Sequence, residues 1–240
     1  MDISAKRTFG NVAALFAAAV AVDPARPLLT YYDDATGERT ELSGATLDNW
    51  VAKTANLLVD GCGLGPGDRA AVLLPAHWQT AAVLLGAWTA GVEVVSASGS
   101  PDVVFVAADR LDDAPKAADR FVLGLAPMAL PLRDVPTGFA DYVAEVRGHG
   151  DQFRPAIPVR PTDPAMDGTT HAELCMAAQA VASRFEIGPH DRVLVTARPD
   201  PLEWLLAPFA VGASTVLCAN LDRSLLPSRQ ESERVTRPLA

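Results

Sequence analysis

Cysteine is scarce in this chain. Cys62, Cys175 and Cys218 are odd in number, far apart and set among apolar residues, with no Cys-x-x-Cys spacing. That argues against a disulfide framework or a zinc site and points to buried thiols in a reducing cytoplasm. The histidines His77, His149, His171 and His190 are equally scattered. His171 and Cys175 share a helix face, but two ligands do not make a metal site. Lys and Arg form no cluster and the formal net charge is −9, so no nucleic-acid partner is expected. No Ser/His/Asp or Cys/His pair suggests nucleophilic catalysis. The apolar run 9–22, preceded by Lys6-Arg7, imitates a secretory leader but is too short to span a bilayer. Phe9, Val12, Leu15/Phe16 and Ala19/Val20 recur in it at helical spacing, and Asp23-Pro24 ends it, so it reads as an amphipathic first helix. No membrane association is expected.

What the chain does have is a hydrophobic content of 49% over 240 residues, enough for a sizeable core. Its organising stretch is 63–95, GLGPGDRAAVLLPAHWQTAAVLLGAWTAGVEVV. A Gly-Pro-Gly turn leads into a buried strand at 70–74. Pro75 stops the strand, 78–90 follows as a helix apolar on nearly every face, and Gly91 ends it before a second strand at 92–95. This is a βαβ unit, and a helix apolar all round belongs between layers. The unit recurs at 186–218: Gly65-Pro66-Gly67-Asp68-Arg69 answers Gly188-Pro189-His190-Asp191-Arg192, and Gly91 answers Gly212. Two copies of one α/β half-domain is the reading, the alternative being two ordinary βαβ units that share a turn.

In chain order, 28–32 reads as a strand, 33–39 with Gly37 as a turn, and 40–42 as the returning strand. Ser43 is the expected N-cap of a helix with Leu47, Trp50, Val51, Thr54, Leu57 and Leu58 on one stripe. Beyond 95, strands are expected at 103–107 and 121–125, with a short helix over 111–120 broken by Pro115. Seven prolines between 127 and 164 leave only 139–146 helical. The fold class expected is α/β: two related half-domains with mostly parallel sheets flanked by helices. The domain division is 1–126 for the first half, 127–164 for a Pro-rich linker, 165–221 for a shorter second half, and 222–240 for a polar tail poorly ordered by its end.

The order strand pair, Ser-capped helix, Gly63-Leu64-Gly65-Pro66-Gly67-Asp68-Arg69, apolar strand, Pro75, Trp78-containing helix, Ala90-Gly91-Val92 resembles the adenylate-forming superfamily. Acyl-CoA synthetases, luciferases and peptide-synthetase adenylation domains belong to it. The likeness is strongest over 28–95 and resumes more weakly over 163–218. It implies a shortened relative of the family's large N-terminal domain, itself built from two related α/β halves. It also implies activation of a carboxylate with ATP, which needs a Gly/Ser/Thr loop to hold phosphates and cations to neutralise charge.

The family's loop reads roughly Ser-Gly-Thr-Thr-Gly-x-Pro-Lys-Gly. The corresponding stretch here runs from Asp167 to Cys175, and Gly168, Thr169 and Thr170 match as candidate nucleotide-binding residues. Asp167 replaces the small polar residue, His171 the second Gly, and Glu173 and Leu174 stand where Pro and Lys belong. One added unit charge about 4 Å from another is worth roughly 4 kcal/mol at an effective dielectric near 20, so an acid gained and a lysine lost disfavour ATP. A bare Gly-Thr-Thr also reads simply as a helix start capped by Thr170 or Asp167.

The substrate-pocket strands, the acidic Mg²⁺-linked motif, the ribose-binding Asp and the mobile domain with its catalytic Lys fall beyond Ala240 in the family's order. The family's Pro-Leu-x-His step reads Pro199-Asp200-Pro201-Leu202-Glu203 here, without the His. No catalytic or metal-binding residue is assigned, and no cofactor beyond the ATP or AMP that the resemblance implies. The expectation is a non-adenylating small-molecule-binding or protein-interaction module. The alternative is a nucleotide-binding component of an adenylate-forming ligase completed by another chain. The apolar segment 202–211 and its flanking strands predict a homodimer or a protein partner to cover them.

Overall fold

The first apolar run folds as α1 (Val12–Val20), whose N-cap Asn11 accepts the Ala14 N–H at 2.8 Å. Val12, Leu15, Phe16 and Ala19 are buried along one stripe, as an amphipathic helix requires. The computed structural model describes residues 8–196 and 200–239, so the leader-like Lys6-Arg7 lies outside the described residues. No described helix is long and apolar enough to cross a membrane.

Strands β1 (Pro27–Asp33) and β2 (Glu38–Ser43) form an antiparallel hairpin whose turn uses Gly37 at φ 76°. Ser43 accepts the Thr46 N–H at 3.1 Å and starts α2 (Gly44–Asn56), which runs on into one wide π turn, Leu57–Gly61. The central unit follows as β3 (Arg69–Leu73), α3 (Trp78–Ala90) and β4 (Glu93–Val95), with β3 and β4 parallel. Every residue of α3 except Thr89 is buried, and Gly91 closes the helix in the left-handed region at φ 83°. Then come β5 (Val103–Ala107), β6 (Asp119–Leu123), β7 (Ala140–Asp141) and α4 (Tyr142–Val146). The helix expected over 111–120 is a single 3₁₀ turn, Leu111–Asp113, because Pro115 blocks its extension and Asp119 already pairs with β5. The strand expected at 121–125 starts earlier for the same reason.

The second half is β8 (Pro164–Met166), β9 (Thr169–Thr170), α5 (His171–Arg184), β10 (Arg192–Thr196), a π turn Leu202–Leu206 leading into α6 (Ala207–Val211), and β11 (Ser214–Ala219). It ends with α7 (Leu226–Ser232) and β12 (Arg237–Leu239). The two repeated turns have the same wiring. Asp68 accepts the Gly65 N–H at 2.8 Å and Asp191 the Gly188 N–H at 2.7 Å. Each Asp carbonyl then receives the N–H of the next strand, from Glu93 at 2.9 Å and Ser214 at 3.0 Å. Gly212 closes its helix at φ 81°, as Gly91 does.

The sheets extend this correspondence. One runs β12-β10-β11-β1-β2 and the other β7-β6-β5-β3-β4-β8-β9. Within each, the middle strand of a half pairs on one side with the strand after its helix and on the other with the strand after that: β5-β3-β4 and β12-β10-β11. The outer positions hold a hairpin, and the hairpins are exchanged. β1-β2 lies against β11, and β8-β9 lies against β4. Sheet membership therefore does not follow the division drawn at 127–164, because strand pairing joins segments from both sides of the prolines.

The tail departs from expectation too. Its polar composition reads as a disordered end, yet α7 packs on the sheet and β12 pairs in parallel with the edge of β10. Glu233 accepts from Tyr32 Oη at 2.6 Å and from Arg39 at 2.9 Å, and it pairs with Arg192. Arg229 pairs with Asp34 at 2.5 Å over the ring of Tyr32. These contacts neutralise the polar residues, which is why a polar segment is ordered here. Trp204, Leu205, Leu206 and Phe209, on which a homodimer was expected, are buried within the single chain.

Candidate functional site

The candidate loop is a hairpin turn two residues long. Asp167 (φ 43°) and Gly168 (φ 80°) sit between β8 and β9, both in the left-handed region that such a tight turn needs. Thr170 ends the hairpin and caps α5. Glu173 N–H donates to its hydroxyl at 3.3 Å, and the Glu173 carboxylate accepts the Thr170 N–H at 2.9 Å and hydroxyl at 2.7 Å. This reciprocal capping box holds the Glu173 carboxyl below its ordinary value. In the fold's internal correspondence the turn answers the Gly37 turn between β1 and β2.

The backbone donors of Asp167 and Gly168 are already engaged, one by a carbonyl and one by an acid. Gly168 N–H donates to Glu93 Oε1 at 2.7 Å, and Asp167 Oδ1 accepts the Ser96 N–H at 2.9 Å. Asp167 N–H donates to the Val94 carbonyl at 3.0 Å. Gly168, Thr169 and Thr170 are thus brought together, but with Glu93, Asp167 and Glu173 around them. A phosphate needs free amides and positive potential, and this turn offers neither. ATP or AMP phosphates do not fit these residues.

The neighbouring positions follow the helix rather than the loop. His171 is fully buried, with Nδ1 accepting the Val12 N–H at 3.4 Å, and burial pushes its imidazole down to about 4. Leu174 is 1% exposed, so the position where the family carries its lysine faces the core. Of the 199–203 step, Pro199 lies outside the described residues. Asp200 Oδ1 accepts the Leu202 N–H at 2.8 Å, and Glu203 pairs with Arg184 at 3.0 Å. Among the described residues no group of three or more His, Cys, Asp or Glu side chains could hold a metal ion.

A cavity of about 210 Å³ lies beside the turn, at the carboxyl ends of β3, β4 and β8. Ligands of open parallel sheets sit outside strand ends of this kind. Val72, Leu84, Val95 and Met166 line it, together with Asp167 and Trp204. Trp204 is 1% exposed and its Nε1–H has no hydrogen-bond partner among the described residues, an orphaned donor in a largely apolar wall. Sequence reasoning missed both Glu93 and Trp204. Glu93 is the one charged residue in the apolar stretch 92–95, and Trp204 the one side chain with an N–H among the apolar residues of 204–211.

Comparison with known proteins bears on this arrangement. Residues 16–100 match the model of the AMP-binding enzyme family. A TIGR03089 family protein of Mycobacterium tuberculosis (strain ATCC 25618 / H37Rv) is 44% identical over 228 residues, covering 90% of this chain and 93% of that protein. Among solved structures, an acyl-CoA synthetase of Brucella canis superposes with a TM-score of 0.73 at 19% identity, over 96% of this chain and 47% of its own. The N-terminal domain of FACL13 from Mycobacterium tuberculosis gives a TM-score of 0.72 at 16% identity, over 95% of this chain and 62% of its own. At such identities the likeness shows the fold alone. The chain spans about half the length of the first of these solved structures and 62% of the second.

Proposed function

We infer the role of this chain, which belongs to the TIGR03089 family, from one premise: it is an AMP-binding-like domain of an acyl-CoA synthetase-like family whose phosphate turn is filled by its own carboxylates. The reading is a domain that binds a small molecule or a protein without forming an acyl-adenylate. The observation that carries it is the 2.7 Å hydrogen bond from the Gly168 N–H to Glu93, with Glu173 taking both donors of Thr170. A triphosphate would have to displace two carboxylates and then sit beside them and Asp167. Each such contact sets like charges side by side and is unfavourable, less so at this exposed turn than in the interior.

The ligand-facing element in this reading is the cavity at the strand ends. The Trp204 Nε1–H offers a donor to a carbonyl or similar acceptor, and Asp167 at the rim disfavours anions. The test is thermal denaturation with and without ATP·Mg²⁺, AMP and acyl-CoAs. A nucleotide at a hundredfold over its Kd would add about 2.7 kcal/mol of stability. No shift is expected with any of them. Carboxylate-dependent pyrophosphate exchange by the pure chain would overturn the reading.

A further inference from the structure

A second, roomier cleft lies elsewhere in the molecule. It lies between α1 and α2, closed on a third side by residues 151–154, and holds about 470 Å³. That is within the range of small-molecule sites, roughly 300–1,000 Å³. It shares no lining residue with the cavity at the strand ends. Phe16, Val51 and Phe153 give it apolar walls, and Ala17 leaves it deep because a methyl group fills so little of it.

Two of its charges, one of each sign, are unpaired. Asp151 also lines the cleft, but its carboxylate is paired with Lys53 at 2.6 Å. Asp48 on α2 and Arg154 on the 151–154 strap have no hydrogen-bond or ion-pair partner among the described residues, and they do not pair with each other. Asp48 and Arg154 both stand exposed at the mouth of the cleft, where partial desolvation holds the Asp48 carboxyl above its ordinary value. A purely apolar occupant would leave both charges unpaired, and a simple anion or cation would satisfy only one.

We propose that this cleft binds a small zwitterion with an apolar body, its cationic end on Asp48, its anionic end on Arg154 and its body against Phe16, Val51 and Phe153. The inference stands apart from the reading of the phosphate turn and does not depend on it.

The test uses the full chain and three probes: L-phenylalanine, L-phenylalaninamide, which lacks the anion, and N-acetyl-L-phenylalanine, which lacks the cation. Saturation-transfer NMR and calorimetry should show L-phenylalanine binding with a Kd of about millimolar or tighter, and each control weaker by about tenfold, the loss of one charge-assisted contact. Asp48→Asn should weaken L-phenylalanine and leave N-acetyl-L-phenylalanine unchanged. Ala17 is exposed, so Ala17→Leu enters the cleft without entering the core and should abolish binding with unfolding behaviour unchanged. Equal binding of the three probes overturns the proposal, as does binding that survives Ala17→Leu or no binding at about ten times a millimolar Kd.

Discussion

Gly86 on α3 rests directly against Thr54 on α2. A Cβ built on Gly86 would lie 2.5 Å from the Thr54 Cβ and 2.6 Å from its Cγ2, closer than real carbons approach. Thr54 cannot retreat, because its hydroxyl bonds the Trp50 carbonyl at 2.8 Å and the buried Tyr142 hydroxyl at 2.7 Å.

Gly86→Ala should therefore destabilise the protein even though alanine is the better helix former. Overpacking of this kind costs about 1–3 kcal/mol. Chemical denaturation of the variant against wild type measures it directly. A variant as stable as wild type would mean that α2 and α3 cross less tightly than described.

His171 should make stability fall in mild acid. Burial holds its folded value at about 4, against 6.5 when exposed. The unfolded chain then takes up the proton first, so stability is present above pH 6.5 and is lost as pH falls towards 4. Between pH 7 and pH 5 the loss should be about 2 kcal/mol. His171→Asn, which keeps an acceptor for the Val12 N–H, should flatten that limb of the pH profile. A variant with the wild-type slope would place the titration elsewhere.

Glu233 should hold the C-terminal segment to the sheet. Its carboxyl is kept down at about 2; burial opposes this, but the donors Tyr32, Arg192 and Arg39 outweigh it. Its contribution is present above pH 4.5 and is lost as pH falls towards 2, a second acid limb below that of His171. Glu233→Gln should cost about 1.5–3 kcal/mol at neutral pH, the worth of a bond to a charged group. It should also speed hydrogen exchange in β12 ahead of global unfolding. Unchanged exchange in β12 would show that its pairing with β10 suffices alone.

Restoring the family's lysine should fail. Leu174 is buried, so Leu174→Lys places an ammonium in the core and should unfold the start of α5 rather than create a phosphate site. Asp167→Ser alone tests the turn more gently, since it removes one acid and leaves Glu93 and Glu173 in place. Neither variant is expected to bind ATP·Mg²⁺ in calorimetry. Micromolar affinity in the double variant would show that the carboxylates yield more readily than their hydrogen bonds suggest.

Much of this architecture was legible in local sequence, for physical reasons. The helix Trp78–Ala90 is bounded by Pro75 and Gly91, Ser43 caps α2, and the paired Asp68 and Asp191 turns announce each strand. Each signal acts within a few residues of its effect. The exchange of hairpins was not legible, because the pairing of Leu29 with Thr215 leaves no local mark on either segment. The same holds for Glu93, whose role depends on a glycine 75 positions away, and for the ordered tail, where the Arg and Glu side chains read as solvated until their partners on β1, β2 and β10 are known. Gly168, Thr169 and Thr170 could be singled out, but not the acids that surround them.

On the ribosome, β1 and β2 emerge while β11, the strand that must lie beside them, is still unmade. The hairpin leaves one edge of β1 open until almost the whole chain has been synthesised, and the sheet built around β3 in turn waits for β8 to pair with β4. Neither half can finish early, so the usual order of vectorial folding, one unit after another, is closed to this protein. Long-range parallel pairing makes the last step slow. The nascent chain is thus a better client for a holding chaperone than its modest size suggests, and a slow codon run or a stall before β11 would strand it with an open edge.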